Sequence, residues 1–297
     1  MKNSEPFFQE VAIVGVGLLG ASLALAVKER GLARRVVGVG RSEDKLKKAR
    51  ARGILDSYSL EIAKGCSGAD LIVLCTPIST ILEQLDALRD VADKEAIVTD
   101  VGSAKATVVT KGEEVFSASR QFVGSHPMSG SEKTSADFAD PKLYEGNACY
   151  VTVTPQTDPA RLRRVVGLWR GVGSRVIIVR PDRHDQLVAM LSHLPHLAAV
   201  ALVRSLCDLG EDAEFVRQLI GNGFRDTTRI AQGDAKVWRD ILQANREAVL
   251  EALEKCSGQI EHLRALIRKK DYDALERELD RCKALRTYLD AAPRSDS

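Results

Sequence analysis

Apolar positions between residue 11 and about residue 180 fall into short β-branched runs separated by stretches with helical spacing. The runs are Val11–Val14, Val36–Val39, Leu71–Cys75, Ala96–Thr99, Gln121–Val123, Cys149–Val153 and Arg175–Val179. Strands alternating with helices predict βαβ units and a mostly parallel sheet, whose ligands bind beyond the carboxyl ends of the strands. Near residue 182 the character changes. Pro181-Asp182-Arg183-His184-Asp185 opens a region that reads as helices to Asp290, so the expected division is an α/β domain over 1–181 and an all-helical domain over 182–297. Leu187–Leu206 is almost continuously apolar, which predicts a helix buried on most sides whose polar members, His193 and His196 among them, must find partners. From Trp238 to Ile267 apolar residues recur every three or four positions. Such a stripe needs a second surface: a symmetric dimer is the expected cover, and coverage by the chain's own helices is the alternative.

The first run leads into Gly15-Val16-Gly17-Leu18-Leu19-Gly20 and an Ala/Leu-rich helix. In this setting Gly15 permits the tight turn, Gly17 lets a pyrophosphate approach the backbone, and Gly20 lets the helix pack on the strand. Leu18 and Leu19 open the helix whose N-terminus holds the phosphates. A dinucleotide cofactor is expected. The second run ends at Gly40-Arg41-Ser42, where NAD enzymes place an acidic residue on the ribose 2′-hydroxyl. Its absence, with Arg41 and Ser42 able to hold a 2′-phosphate, favours NADP over NAD. Glu43 and Asp44 follow closely, and a solvated loop cation is the alternative for Arg41.

Two further turns fall where a nicotinamide would lie, Thr76-Pro77 and Asp100-Val101-Gly102-Ser103-Ala104-Lys105. Ser103 is a candidate substrate contact and also a candidate N-cap for the helix that follows. The Gly/Ser-rich loop after Phe122-Val123 holds His126, whose following proline gives the imidazole a rigid support. It is a candidate general base, with a structural hydrogen bond as the alternative. Gly221–Ala231 interrupts the helices with glycines and two arginines, Arg225 and Arg229, a place to clamp a carboxylate or to make a surface ion pair.

The 43 basic and 41 acidic residues of the 297-residue chain leave a net charge of +2, which removes the electrostatic case for nucleic acid or an anionic membrane surface. A small-molecule substrate is the expected partner. The first ten residues hold no apolar signal core, and no later run is expected to reach the roughly 18 apolar residues of a membrane span. Six cysteines lack C-x-x-C spacing, so neither a metal site nor a disulfide framework is expected, and a cytoplasmic protein fits.

Together Gly15–Gly20, Asp100–Lys105, Gly124–Lys133, Ser192–His196 and Phe224–Ala231 resemble the prephenate/arogenate (cyclohexadienyl) dehydrogenase family of tyrosine biosynthesis, from about residue 10 to about residue 290. The resemblance implies a Rossmann-type dinucleotide-binding domain followed by a helical dimerisation domain, a homodimer, and oxidative decarboxylation of prephenate or arogenate with hydride transfer to NAD(P). It matches His126 to the catalytic histidine, Ser103 to the serine beside the substrate hydroxyl, and Arg229 to the arginine that binds a substrate carboxylate. Ser131, Glu132, His196 and Trp238 match pocket positions. NAD-type members carry aspartate where this chain has Gly40, and no appended regulatory domain or mutase is expected. Two alternatives stay open: a dehydrogenase or reductase of the β-hydroxyacid or pyrroline-carboxylate type, and a dinucleotide sensor without turnover.

Overall fold

A computed structural model describes residues 7–129 and 135–291, so the expectations for Ser131, Glu132 and the tail Pro293–Ser297 lie outside the described residues. The first part of the chain runs β1 (Phe8–Val14), α1 (Leu18–Glu29), β2 (Ala33–Val39), α2 (Glu43–Ala51), β3 (Ser57–Ser59), α3 (Ile62–Cys66), β4 (Leu71–Leu74), α4 (Ile78–Leu88), β5 (Ile97–Asp100) and α5 (Ala106–Val115). There follow β6 (Ser125–Pro127), β7 (Ala148–Thr152), α6 (Pro159–Gly171) and β8 (Arg175–Val179). Five parallel strands order β3-β2-β1-β4-β5, and β6-β7-β8 form a second sheet in which β6 is antiparallel to β7.

Helices cover both faces of the larger sheet, which is why its strands read as apolar runs without alternation. Along β1, Val11 and Ile13 pack with α1, α2 and α6, whereas Ala12 and Val14 pack with α4, α5 and Ile241 from the helical region. Strand order reverses between β1 and β4, so a crevice opens beyond their carboxyl ends.

The segment Gln121–Val123 is a correction: it makes one bridge, Phe122 to Val98, instead of a strand. It is the joint between the sheets, where Gly112 lies against the Phe122 ring and the carbonyl of Gly124 already accepts from Thr152. β3 had no β-branched signal because its Ser-Tyr-Ser is an edge strand paired only with β2.

The rest is helical: α7 (Pro181–Val188), a π turn (Ala189–His193), α8 (Leu194–Leu206), α9 (Ala213–Leu219), α10 (Asn222–Thr228), a 3₁₀ turn (Arg229–Gln232), α11 (Ala235–Ala244), α12 (Arg246–Lys269) and α13 (Tyr272–Ala291). The π turn sits just before Pro195, whose missing N–H cannot continue the regular ladder.

Leu187–Leu206 is less buried than expected: Val188, Ala189 and Ala199 are covered, but not the larger apolar residues. His193 and His196 are buried, at 1% and 5% exposure, while Met190, Leu191 and Leu202 are exposed. The span Pro181–Leu209 is also long and apolar enough by composition to cross a membrane, contrary to expectation, because mean hydropathy tolerates its scattered Ser and His. Its inward face, however, is bonded through His193 to Asn245 of the same chain. The later stripe divides as well: Ile241, Val249 and Ala252 are buried within the chain, whereas Ile260, Leu263 and Ile267 are 37–59% exposed.

Candidate active site

Beyond β1 the backbone at Gly15 takes φ +98°, and a Cβ there would lie 2.7–2.9 Å from Thr76 and the Cys75 carbonyl, so only glycine fits. At Gly20 a Cβ would meet the Gly15 carbonyl at 2.2 Å, which fixes how closely α1 approaches the turn. Gly17 is the N-cap of α1 and brings no capping side chain, so the first amides of a 12-residue helix are left to an external acceptor. These features form one wall of a cleft of about 880 Å³ lined by Gly15, Gly17, Leu18, Leu19, Arg41, Ser42, Thr76, Pro77 and Ser103. Its size and glycine-lined floor fit a dinucleotide. Gly20 supports this cleft from behind without lining it.

At the far end of the cleft Lys45 joins Arg41 and Ser42, while Glu43 and Asp44 are not among its lining residues. Glu43 is engaged elsewhere, 3.0 Å from the Lys47 ammonium and accepting from the Tyr58 hydroxyl. A Cβ at Gly40 would come no closer than 3.6 Å to Leu46, so the missing acidic residue is not a matter of space. The roof comes from α11, whose Val237, Asp240 and Ile241 line the same cleft, and the Asp240 carboxylate accepts from Ser79 of α4 at 2.7 Å.

His126 lies on β6, 7% exposed. Its Nδ1 is 2.9 Å from Nε2 of His184, and Nδ1 of His184 is 2.8 Å from Oδ1 of Asp185. A carboxylate only accepts, so His184 donates from Nδ1 and its Nε2 is left to accept. His126 therefore donates from Nδ1, and the lone pair of the neutral imidazole is on Nε2. Burial, chiefly, with the neighbouring His184, Lys105 and His193, holds His126 well below the usual histidine range; burial likewise lowers His184. Both rings are neutral near pH 7.

Asp185 also accepts from the backbone N–H groups of Lys105 at 2.7 Å and Ala106 at 2.9 Å. The N-cap of α5 is thus Lys105, served by a carboxylate from α7, and Ser103 does not cap this helix. The cap comes from 80 residues away, where no local rule would seek it.

A second group adjoins the first through Asn245, whose side-chain amide donates to the Asp185 carbonyl at 2.9 Å and to Nδ1 of His193 at 3.2 Å. Burial pushes His193 down to about 4. His196 stacks on the Trp238 indole with centroids 3.5 Å apart, and its buried Nδ1 has no hydrogen-bond partner among the described residues. Arg229 opens the 3₁₀ turn beside α8 and is exposed within the single chain, away from the cofactor cleft.

Residues 23–178 match the nucleotide-binding domain of prephenate dehydrogenase and residues 180–281 its dimerization domain. The chain belongs to the prephenate dehydrogenase family. The prephenate dehydrogenase of Lactococcus lactis subsp. cremoris is 34% identical over 284 residues, 95% of this chain and 78% of that one. The Aquifex aeolicus prephenate dehydrogenase, solved in complex with hydroxyphenyl propionate and NAD+, superposes with a TM-score of 0.89 at 34% identity, covering 95% of this chain and 98% of that one. Synechocystis arogenate dehydrogenase gives a TM-score of 0.82 at 30% identity, covering 95% and 100%.

Within this prephenate dehydrogenase family member, sequence reasoning missed His184, Asp185, Asn245 and Lys45. The signal for the first two was present: adjacent His and Asp at the opening of a helix. Nothing in the sequence said which strand they would face.

Proposed function

We propose that the chain oxidatively decarboxylates prephenate or arogenate with NAD(P), giving 4-hydroxyphenylpyruvate or tyrosine. The observation that carries this reading is the Asp185–His184–His126 chain, which leaves the lone pair of a neutral His126 on Nε2, in a buried site next to the loop bearing Ser103. When bound, the nicotinamide supplies a hydride acceptor. His126 takes the proton of the ring hydroxyl as hydride leaves the same carbon. The electron pair of the bond to the ring carboxylate then moves into the ring, carbon dioxide departs, and the resulting phenolate takes a proton back from His126. Aromatisation drives the sequence. Positive charge arising on His126 is shared with His184 and balanced by Asp185.

Ser103, at the cleft edge, is assigned to the substrate hydroxyl, and Arg229 to a substrate carboxylate. His196 and Trp238 supply a flat wall for the ring. Arg41, Ser42 and Lys45 at the cleft end, with Glu43 turned away, support NADP as the preferred cofactor.

The boundary between the two domains is placed after Pro181. The exposed Leu191, Leu202, Ile260 and Ile267 of the helical domain support a homodimer through that domain, bringing Arg229 to a covered position. Six unpaired cysteines suit a reducing cytoplasm.

Steady-state assays of purified protein with prephenate and arogenate, each with NAD and NADP, test the reading. Turnover of at least one pair is expected, and none with any of the four refutes it. His126→Asn should lower kcat by about 10²–10⁴ with both ligands still bound.

A further inference from the structure

Lys105 and Asp100 are each fully buried, and the Lys105 ammonium contacts Oδ2 of Asp100. Neither residue lines the cofactor cleft, although Val101, Gly102 and Ser103 between them do, and the pair joins two chain segments. Through Oδ2, Asp100 accepts from the backbone N–H of Gly102 at 2.8 Å, holding the turn that carries Ser103. Through Oδ1 it accepts from the backbone N–H of Ser125 at 3.1 Å. Lys105 closes the ring by donating to the Ser125 carbonyl at 2.9 Å. The Ser125 hydroxyl donates to the Asp100 carbonyl at 2.5 Å and is 2.9 Å from the hydroxyl of Thr99. Both backbone polar groups of the residue preceding His126 are therefore bonded to one buried ion pair, which also holds the residue preceding Ser103.

Two glycines admit this arrangement. A Cβ at Gly102, itself on the cleft lining, would stand 2.9 Å from Oδ2 of Asp100, with Ile81 and Ile78 next nearest, so it presses on the clamp. A Cβ at Gly124 would meet Thr152 at 2.6 Å, and Oδ1 of Asp100 is the third neighbour at 3.6 Å. A buried ion pair is costly to desolvate and is weak ground for stability alone, whereas its fixed geometry defines a unique arrangement of what it bonds.

We propose that Lys105 and Asp100 are positioning residues, a buried clamp that fixes the Ser103 turn and the His126 strand at the separation the reaction needs. The proposal rests on the roles given above to His126 and Ser103. Misplacement of such groups by about 1 Å can cost on the order of 100-fold in rate, with binding largely kept.

The test compares Lys105→Met/Asp100→Asn, which leaves no lone buried charge and keeps one acceptor oxygen where Asp100 uses two, with Gly102→Ala, which keeps both charges and displaces the carboxylate. For each, thermal melting, NADP and NAD affinity by fluorescence, KM and kcat are measured. The double variant is expected to lose roughly 30- to 100-fold in kcat and Gly102→Ala roughly tenfold, with KM and cofactor affinity within about threefold of wild type. A folded double variant with kcat within threefold of wild type overturns the proposal. If the double variant does not fold, normal kcat in Gly102→Ala does so. His126→Asn run in parallel separates the two ideas: normal kcat there defeats the site reading itself, while a large loss there beside normal clamp variants defeats only the clamp.

Discussion

Replacing His184 with phenylalanine isolates the hydrogen bond that sets the proton on His126. The ring is fully buried, with Tyr150 at 5.1 Å and His126 at 5.1 Å between centroids, both edge-on, so a phenyl ring of similar outline keeps the packing. Asp185 loses one donor but still accepts from the Lys105 and Ala106 amides. His126 loses its acceptor. In the transition state that acceptor faces a developing imidazolium, and a hydrogen bond to a charged group contributes about 1.5–3 kcal/mol, or roughly 10- to 150-fold in kcat. KM should change little, since His184 is fully buried behind His126. Initial rates from pH 5 to 8 at saturating cofactor supply kcat and KM. Unchanged kcat would refute the relay.

Arg41→Ala should weaken NADP binding by roughly 10- to 150-fold and leave NAD nearly unchanged, while Gly40→Asp should invert the preference; fluorescence titration of both cofactors decides. Arg229→Ala should raise KM by roughly 30- to 1,000-fold, for a loss of about 2–4 kcal/mol, with a smaller change in kcat; an unchanged KM would make it a structural ion pair. Ile260→Glu with Leu263→Glu should convert a dimer of the 32.4 kDa chain into monomer by sedimentation equilibrium, and a monomeric wild type would remove the dimer. Acid should destabilise the fold. His193, held at about 4 against 6.5 in the unfolded chain, favours the folded state by on the order of 3 kcal/mol above pH ~6.5. That contribution is lost as pH falls from ~6.5 towards ~4. His126 and His184 are shifted the same way, so urea midpoints should drop steeply below pH 6; a flat midpoint from pH 7 to 5 would contradict neutral burial.

The nucleotide-binding half was legible because burial on both faces leaves the inner parallel strands rich in apolar runs, and because Gly15 and Gly20 are demanded by local geometry. What escaped depends on partners distant in the chain. Ser103 satisfied the local rule for an N-cap, yet the cap is a carboxylate arriving from α7. His184 meets His126 across 58 residues, and Asn245 meets Asp185 across 60, so no window of sequence contains either pair. The apolar run Leu187–Leu206 misled in another way. Hydropathy reports that a surface needs cover without saying whether the chain's own elements provide it, and here the histidines face inward while Leu191 and Leu202 do not.

Helix α11 joins the dinucleotide cleft to the ring wall proposed above. Its Val237, Asp240 and Ile241 form the roof of the dinucleotide cleft, and Trp238, between them in sequence, lies flat against His196. A rigid ten-residue rod cannot tilt at one seat and stay still at the other. Affinities at the two seats are then linked, and by thermodynamic reciprocity the factor by which dinucleotide tightens the ring-shaped ligand equals the factor by which that ligand tightens dinucleotide.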